Sequence, residues 1–217
     1  MTLAVAHAVK VALLVTLAGI VVRRRVRLCW AFPLYVLAIL LGNSLQSFWP
    51  TQFHTSEFWI LKQRVYDALK LVLALELAWR AFRLFPGALR TARAVLAAIL
   101  AATTLVVVFV TPPKDYSTLW QWQPSIVTGT LWMFTATALL VVWYQVPVHD
   151  WQRAIMLGLV SYLVVFVLYM DLLRRFGWDY RLAVGWLDVL TYLALCIFWA
   201  WAAWRRDPIP VRAEAAA

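Results

Sequence analysis

Few side chains in this sequence carry chemistry. Its 217 residues include three histidines, two cysteines, seven glycines, and ten acidic groups against twenty basic ones. His7, His54 and His149 are scattered, so they form no H-E-x-x-H zinc motif and no facing pair for haem. Cys29 and Cys196 have neither C-x-x-C spacing nor a histidine neighbour, which argues against a metal or redox centre. There is no glycine-rich phosphate loop and no G-x-S-x-G turn. The last apolar run has no lysine, so a retinal-type Schiff base would find no amine there. His149 and Asp150, in "HDW", suggest acid–base work, but a loop histidine beside an aspartate is ordinarily just solvated. These gaps favour a non-enzymatic protein. The sequence names no cofactor and no metal site.

What the chain does have is apolar surface. Hydrophobic residues make up 65% of it and the mean hydropathy is +0.78, against roughly 45–50% apolar residues in ordinary soluble domains. Fourteen Trp, eight Tyr and eleven Phe supply rings of the kind that sit at membrane interfaces. The sequence therefore reads as an integral membrane protein in contact with the lipid bilayer. The net charge of +10 does not indicate nucleic acid, because the arginines cluster at the ends of apolar runs. There, orientation rules and anionic headgroups account for them. The N-terminus does not read as a cleavable signal, since Lys10 interrupts the first run and the arginine cluster follows it.

A helix needs about 17–25 residues to cross the hydrocarbon core. Seven runs qualify, at about 4–22, 29–49, 61–83, 93–111, 125–146, 153–172 and 183–204. Between them lie "RRRVR", "FWPTQFHTS", "FPGALR", "TPPKDYS", "QVPVHD" and "RRFGWDYR", most of them holding the prolines and glycines at which helices stop. This predicts an all-α seven-helix bundle over 1–206 with a short tail at 207–217 and no soluble domain. With the N-terminus outside, the inner side would hold Arg23, Arg24, Arg25, Arg27, Arg80, Arg83, Arg90, Arg93, Arg153, Arg205, Arg206 and Arg212. The outer side would hold Lys62, Arg64, Lys114, Arg174, Arg175 and Arg181. Twelve against six favours N-out and C-in. His54 and Lys114 then lie outside, with Arg90 and His149 inside.

A faint parallel repeat runs through the chain: Asp67, Trp79-Arg80 and Pro86 are echoed by Asp188, Trp204-Arg205 and Pro208. It suggests three helices, a linker helix and three more, as in some transporters. The same pattern arises if every helix running inward simply ends in Trp and Arg.

The third run, "QRVYDALKLVLALELAWRAFR", carries Asp67, Lys70 and Glu76. Asp and Lys each cost roughly 2.5–3.5 kcal/mol at the centre of a spanning helix, so these charges need partners. At 100° per residue the spacing predicts two pairs, Asp67/Lys70 on one face and Glu76/Arg80 on the opposite one. The second lies near the inner interface and reads as a structural anchor, in which Glu76→Gln would cost about 1 kcal/mol or less. The first lies deeper. Lys10, Asn43 and Asp188 fall at a similar depth, with Gln46 and Gln63 shallower. Ionisable groups inside a membrane face a bundle interior or cavity and are candidates for function. They can equally be packing glue. On cost, Asp188 is expected to pair with Lys70 or with Lys10.

The stretches "RRRVRLCWAFPLYVL", "LELAWRAFRLFPGALR", "YQVPVHDWQRAIMLGLVSY" and "WAAWRRDP" resemble a family of seven-helix membrane proteins from acidobacterial genomes. The resemblance covers most of the chain. It implies the seven-helix architecture and a bacterial inner (cytoplasmic) membrane; it implies no activity and carries over no functional residues. Two functional readings follow: a membrane subunit packing against other membrane proteins, or a small-ligand sensor using the outer polar layer. A small-solute transporter and an intramembrane enzyme are the alternatives.

Overall fold

The computed structural model describes residues 3–83, 129–139, 141–142 and 148–206. The run expected at about 93–111, the flanks of the one at 125–146, the tail at 207–217, and Arg90, Arg93, Lys114 and Arg212 lie outside the described residues.

Among the described residues there is no strand. Helix α1 (Leu3–Val22) leads into a 3-10 turn at Arg25–Leu28, then α2 (Ala31–Phe48), the single-turn α3 (Pro50–Phe53) and α4 (Ser56–Arg83). Residues 129–139 form α5. Helices α6 (Asp150–Phe176) and α7 (Arg181–Trp204) are separated by a 3-10 turn at Trp178–Tyr180. Ala4–Val22, Ala31–Phe48, Asp150–Leu173 and Arg181–Trp204 are each long and apolar enough to cross a membrane. The described residues are thus all-helical, and four apolar helices mark the chain as a membrane protein.

Helix α4 is not one of the four. Its 28 residues reach about 42 Å, but seven of them between Glu57 and Arg80 are charged. What holds it is packing. Leu73, Ala74, Leu77, Ala78 and Ala81 recur every three or four residues and are buried, and the helix lies along α2. The neighbours run in the order α6, α7, α1, α2, α4, each packed along the next. Helix α1 buries Val9, Leu13, Thr16 and Ile20 and leaves Val11, Leu14, Val15, Val21 and Val22 exposed. A helix apolar on every face belongs in lipid.

The core tightens where α2 begins. The Phe32 ring meets Trp151 of α6 edge-on at 5.3 Å and Trp199 of α7 at 4.9 Å, and all three are fully buried. Trp199 fits only because position 158 is glycine: a Cβ there would lie 2.7 Å from its Nε1 and 2.8 Å from Leu195 Cδ1. Small residues let membrane helices approach in this way. Gly158→Ala is expected to lower stability in detergent by about 1–2 kcal/mol through overpacking, although Ala is the better helix former by about 1 kcal/mol. A Cβ on Gly185 meets nothing within 4 Å, so Gly185→Ala should be neutral or stabilising. Equal effects at the two positions in a denaturation series would contradict this account of the α6–α7 contact.

Candidate functional site

The polar residues at the end of the bundle where α2 finishes and α4 starts close on near neighbours. Lys10 Nζ of α1 donates to Ser47 Oγ of α2 at 2.5 Å and sits 5.8 Å from the centre of the Phe48 ring. Ser47 Oγ in turn donates to the carbonyl of Asn43 at 2.9 Å. One turn away, Lys62 Nζ of α4 donates to Gln46 Oε1 of α2 at 2.6 Å. Tyr66 Oη donates to the Ile39 carbonyl at 3.3 Å, close beside Gly42, where a Cβ would collide with it. These contacts fasten α1 to α2 and α2 to α4.

Deeper in α4, Asp67 and Lys70 form the ion pair their spacing indicated, with Lys70 Nζ 2.5 Å from Asp67 Oδ1. Gln63 Nε2 adds a hydrogen bond to the same oxygen at 3.3 Å. Lys70 is 8% exposed, so its ammonium is compensated within its own helix. Asp188 is arranged differently from expectation. Its Oδ1 accepts from Tyr162 Oη of α6 at 3.2 Å, and among the described residues it forms no ion pair with Lys70 or Lys10. The reason is the order of the helices. Asp188 sits on α7, between α6 and α1, while α4 packs on the far side of α2. Equal depth did not bring the two charges together. The seven candidates therefore divide into separate contacts: Lys10 with Ser47, whose hydroxyl donates to the Asn43 carbonyl, Gln46 with Lys62, Gln63 and Lys70 with Asp67, and Asp188 with Tyr162.

The opposite end holds a more tightly bonded hub, around the turn between α1 and α2. Helix α2 starts at Ala31 with no cap from its own Trp30 side chain. The carboxylate of Glu76, from α4, takes that place. Glu76 Oε2 accepts from the Ala31 N–H at 2.8 Å and from Cys29 Sγ at 3.3 Å, and Oε1 accepts from the Trp30 N–H at 3.1 Å. Arg80 completes the set, with Nε 2.8 Å and Nη2 2.7 Å from Glu76 Oε1. An anion at a helix N-terminus meets unpaired N–H donors and the positive end of the helix dipole. The pair read from sequence as an anchor is present, and its carboxylate also fixes a second helix.

Arg25 does the converse at the end of α7. Its Nη1 donates to the Ala202 carbonyl and its Nη2 to the Arg205 carbonyl, both at 2.6 Å. The guanidinium is 5.5 Å from the centre of the Trp151 ring and the residue is 2% exposed. A cation at a helix C-terminus satisfies carbonyls that the helix itself leaves open. Gln152 Nε2 of α6 donates to the Leu28 carbonyl at 2.8 Å, tying α6 to the same turn. His149 Nδ1 accepts from the Trp151 N–H at 3.1 Å. The histidine beside Asp150 thus caps the start of α6.

Sequence reasoning missed Arg25, Gln152, Tyr162 and Ser47. Nothing in "RRRVR" separates Arg25 from its neighbours. Only the fold shows that one arginine of that cluster turns inward. Among the described residues, no group of three His, Cys, Asp or Glu could hold a metal ion. No family model matches the chain, and no curated protein or solved structure does.

Proposed function

We propose that the chain is a non-enzymatic, multi-pass subunit of a bacterial inner membrane that packs against partner membrane proteins. In this reading it has seven spans, N-out and C-in, as the arginine distribution and the acidobacterial family resemblance suggest. What carries the reading is the pairing of the polar side chains in the helices: Lys62 with Gln46, Lys70 with Asp67, Asp188 with Tyr162. Each closes on an immediate neighbour, as packing contacts do. A solute site would draw several of them to one point.

The Asp67–Lys70 pair offers the test. If it is packing glue, Asp67→Asn and Lys70→Met should each destabilise the protein in detergent, while the double variant returns close to the parent. Removing one partner strands a buried charge, and removing both strands none. Membrane polar contacts average about 0.6 kcal/mol, so the double variant should lie within roughly 1 kcal/mol of the parent. A panel of small polar solutes should give no thermal shift that depends on the pair. A solute that stabilises the parent and not the double variant would replace this reading with a sensor or transporter, and the three-plus-one-plus-three repeat would then gain weight.

A further inference from the structure

The clasp around Arg25 has an outer face. By bonding to the Ala202 and Arg205 carbonyls, Arg25 brings the 23–27 segment against residues 204–206, about 180 positions later in the chain. Arg23 Nη2 adds a weaker bond to the Trp204 carbonyl at 3.3 Å. Two distant, arginine-rich segments thus meet at one end of the bundle, and Arg23, Arg24, Arg27, Arg205 and Arg206 on them are all exposed. At this end Glu76 is buried and already occupied. Asp150 is the exposed carboxylate there among the described residues.

Two further observations bear on what this surface meets. Trp30, Trp201 and Trp204 stand exposed among the arginines, and Arg205 lies 5.3 Å from the centre of the Trp201 ring. Exposed tryptophans beside arginines mark the headgroup level of a bilayer. The second is Arg24, whose φ of 54° and ψ of 29° place it in the left-handed region; it is the one non-glycine among the described residues with positive φ. Glycine or asparagine would hold that turn with less strain. A strained position filled by an exposed, charged side chain points to a use for that side chain.

We propose that Arg23, Arg24, Arg27, Arg205 and Arg206 form a composite site for the phosphate headgroup of an anionic phospholipid. Arg25 holds its two halves together and takes no part in the contact. Guanidinium forks match phosphate oxygens, and a basic cluster at the headgroup level attracts anionic lipid in proportion to its charge. The site needs no particular sidedness, because headgroups border both ends of the bundle.

The experiment reconstitutes the full chain in nanodiscs of phosphatidylcholine mixed with phosphatidylglycerol and measures, by native mass spectrometry, which lipid stays bound. The parent should retain phosphatidylglycerol in excess of its share. The Arg24→Gln/Arg27→Gln/Arg206→Gln variant should lose that preference by tenfold or more, since each arginine near an anionic surface contributes about fivefold. Arg175→Gln/Arg181→Gln, at the opposite end, should retain it. Arg24→Asn should weaken lipid retention while holding or raising the thermal midpoint, which separates loss of the site from loss of the fold. An unchanged lipid preference in the triple variant would overturn the proposal. So would equal losses from the opposite-end control. Displacement of the lipid by inorganic phosphate at moderate concentration would also overturn it, and would make the surface a site for free anions.

Discussion

Glu76→Gln is expected to destabilise the protein by about 3 kcal/mol, well above the 1 kcal/mol or less that an interfacial anchor would cost. The difference lies in what the carboxylate accepts. Its two oxygens take the N–H groups of Trp30 and Ala31, the thiol of Cys29 and the guanidinium of Arg80. Every one of these partners is a donor. A glutamine amide replaces one acceptor oxygen with an NH2 group, which must then face a donor whichever way it turns. Glu76 is 8% exposed, so water cannot readily repair the loss. A buried donor left unpaired costs about 1–3 kcal/mol, and loss of a helix N-cap typically costs about 1 kcal/mol.

Arg80 provides the contrast. It is the other half of the ion pair, but its side chain is 33% exposed and can reach water at the interface. Arg80→Gln should therefore cost about 1 kcal/mol or less, because Glu76 keeps its contacts with the start of α2. The two variants, compared by thermal unfolding or by titration with a denaturing detergent, should differ by at least 2 kcal/mol. Equal costs would mean that the Glu76–Arg80 pair, and not the cap on α2, is what holds this end.

Glu76 also shows how far sequence reasoning reaches in this chain. The pairs Asp67/Lys70 and Glu76/Arg80 were legible because their geometry is local: three or four residues fix which side chains share a helix face. The apolar runs at α1, α2, α6 and α7 were legible because lipid demands an uninterrupted stretch of a set length. The attachment of Glu76 to Ala31 was not, since it joins residues 45 positions apart through the rotation and crossing of two helices. Asp188 failed for the same reason. Its depth in the membrane could be counted along the helix, but its neighbour depends on which helices touch, and α7 touches α1 and α6. Tyr162, the partner it found, gave no sign beforehand, because a tyrosine within an apolar run reads equally well as core. The arginines of "RRRVR" mark the end of α1, but hydropathy treats all four alike.

That last distinction yields the second large effect. Arg25→Met should destabilise the protein by about 3 kcal/mol, while Arg24→Asn and Arg27→Gln should leave the fold near the parent. Arg25 makes two short bonds from one planar group to two carbonyls three residues apart, those of Ala202 and Arg205. Hydrogen bonds with one charged partner contribute about 1.5–3 kcal/mol each at most, and the Trp151 face adds a cation–π contact worth about 1–2 kcal/mol when desolvated. Against these stands the cost of burying the charge, which methionine removes, so the net loss falls well below the sum. Methionine fills the space but leaves the last turn of α7 without its donor. Arg25→Lys is the sharper probe, because it keeps the charge and loses the fork. A single ammonium cannot span both carbonyls with the same geometry, so Lys should recover less than half of the loss. If Lys restored the parent's stability in detergent, the contact would be one of charge with the helix dipole alone, and the two-point grip on α7 would carry none of the energy assigned to it.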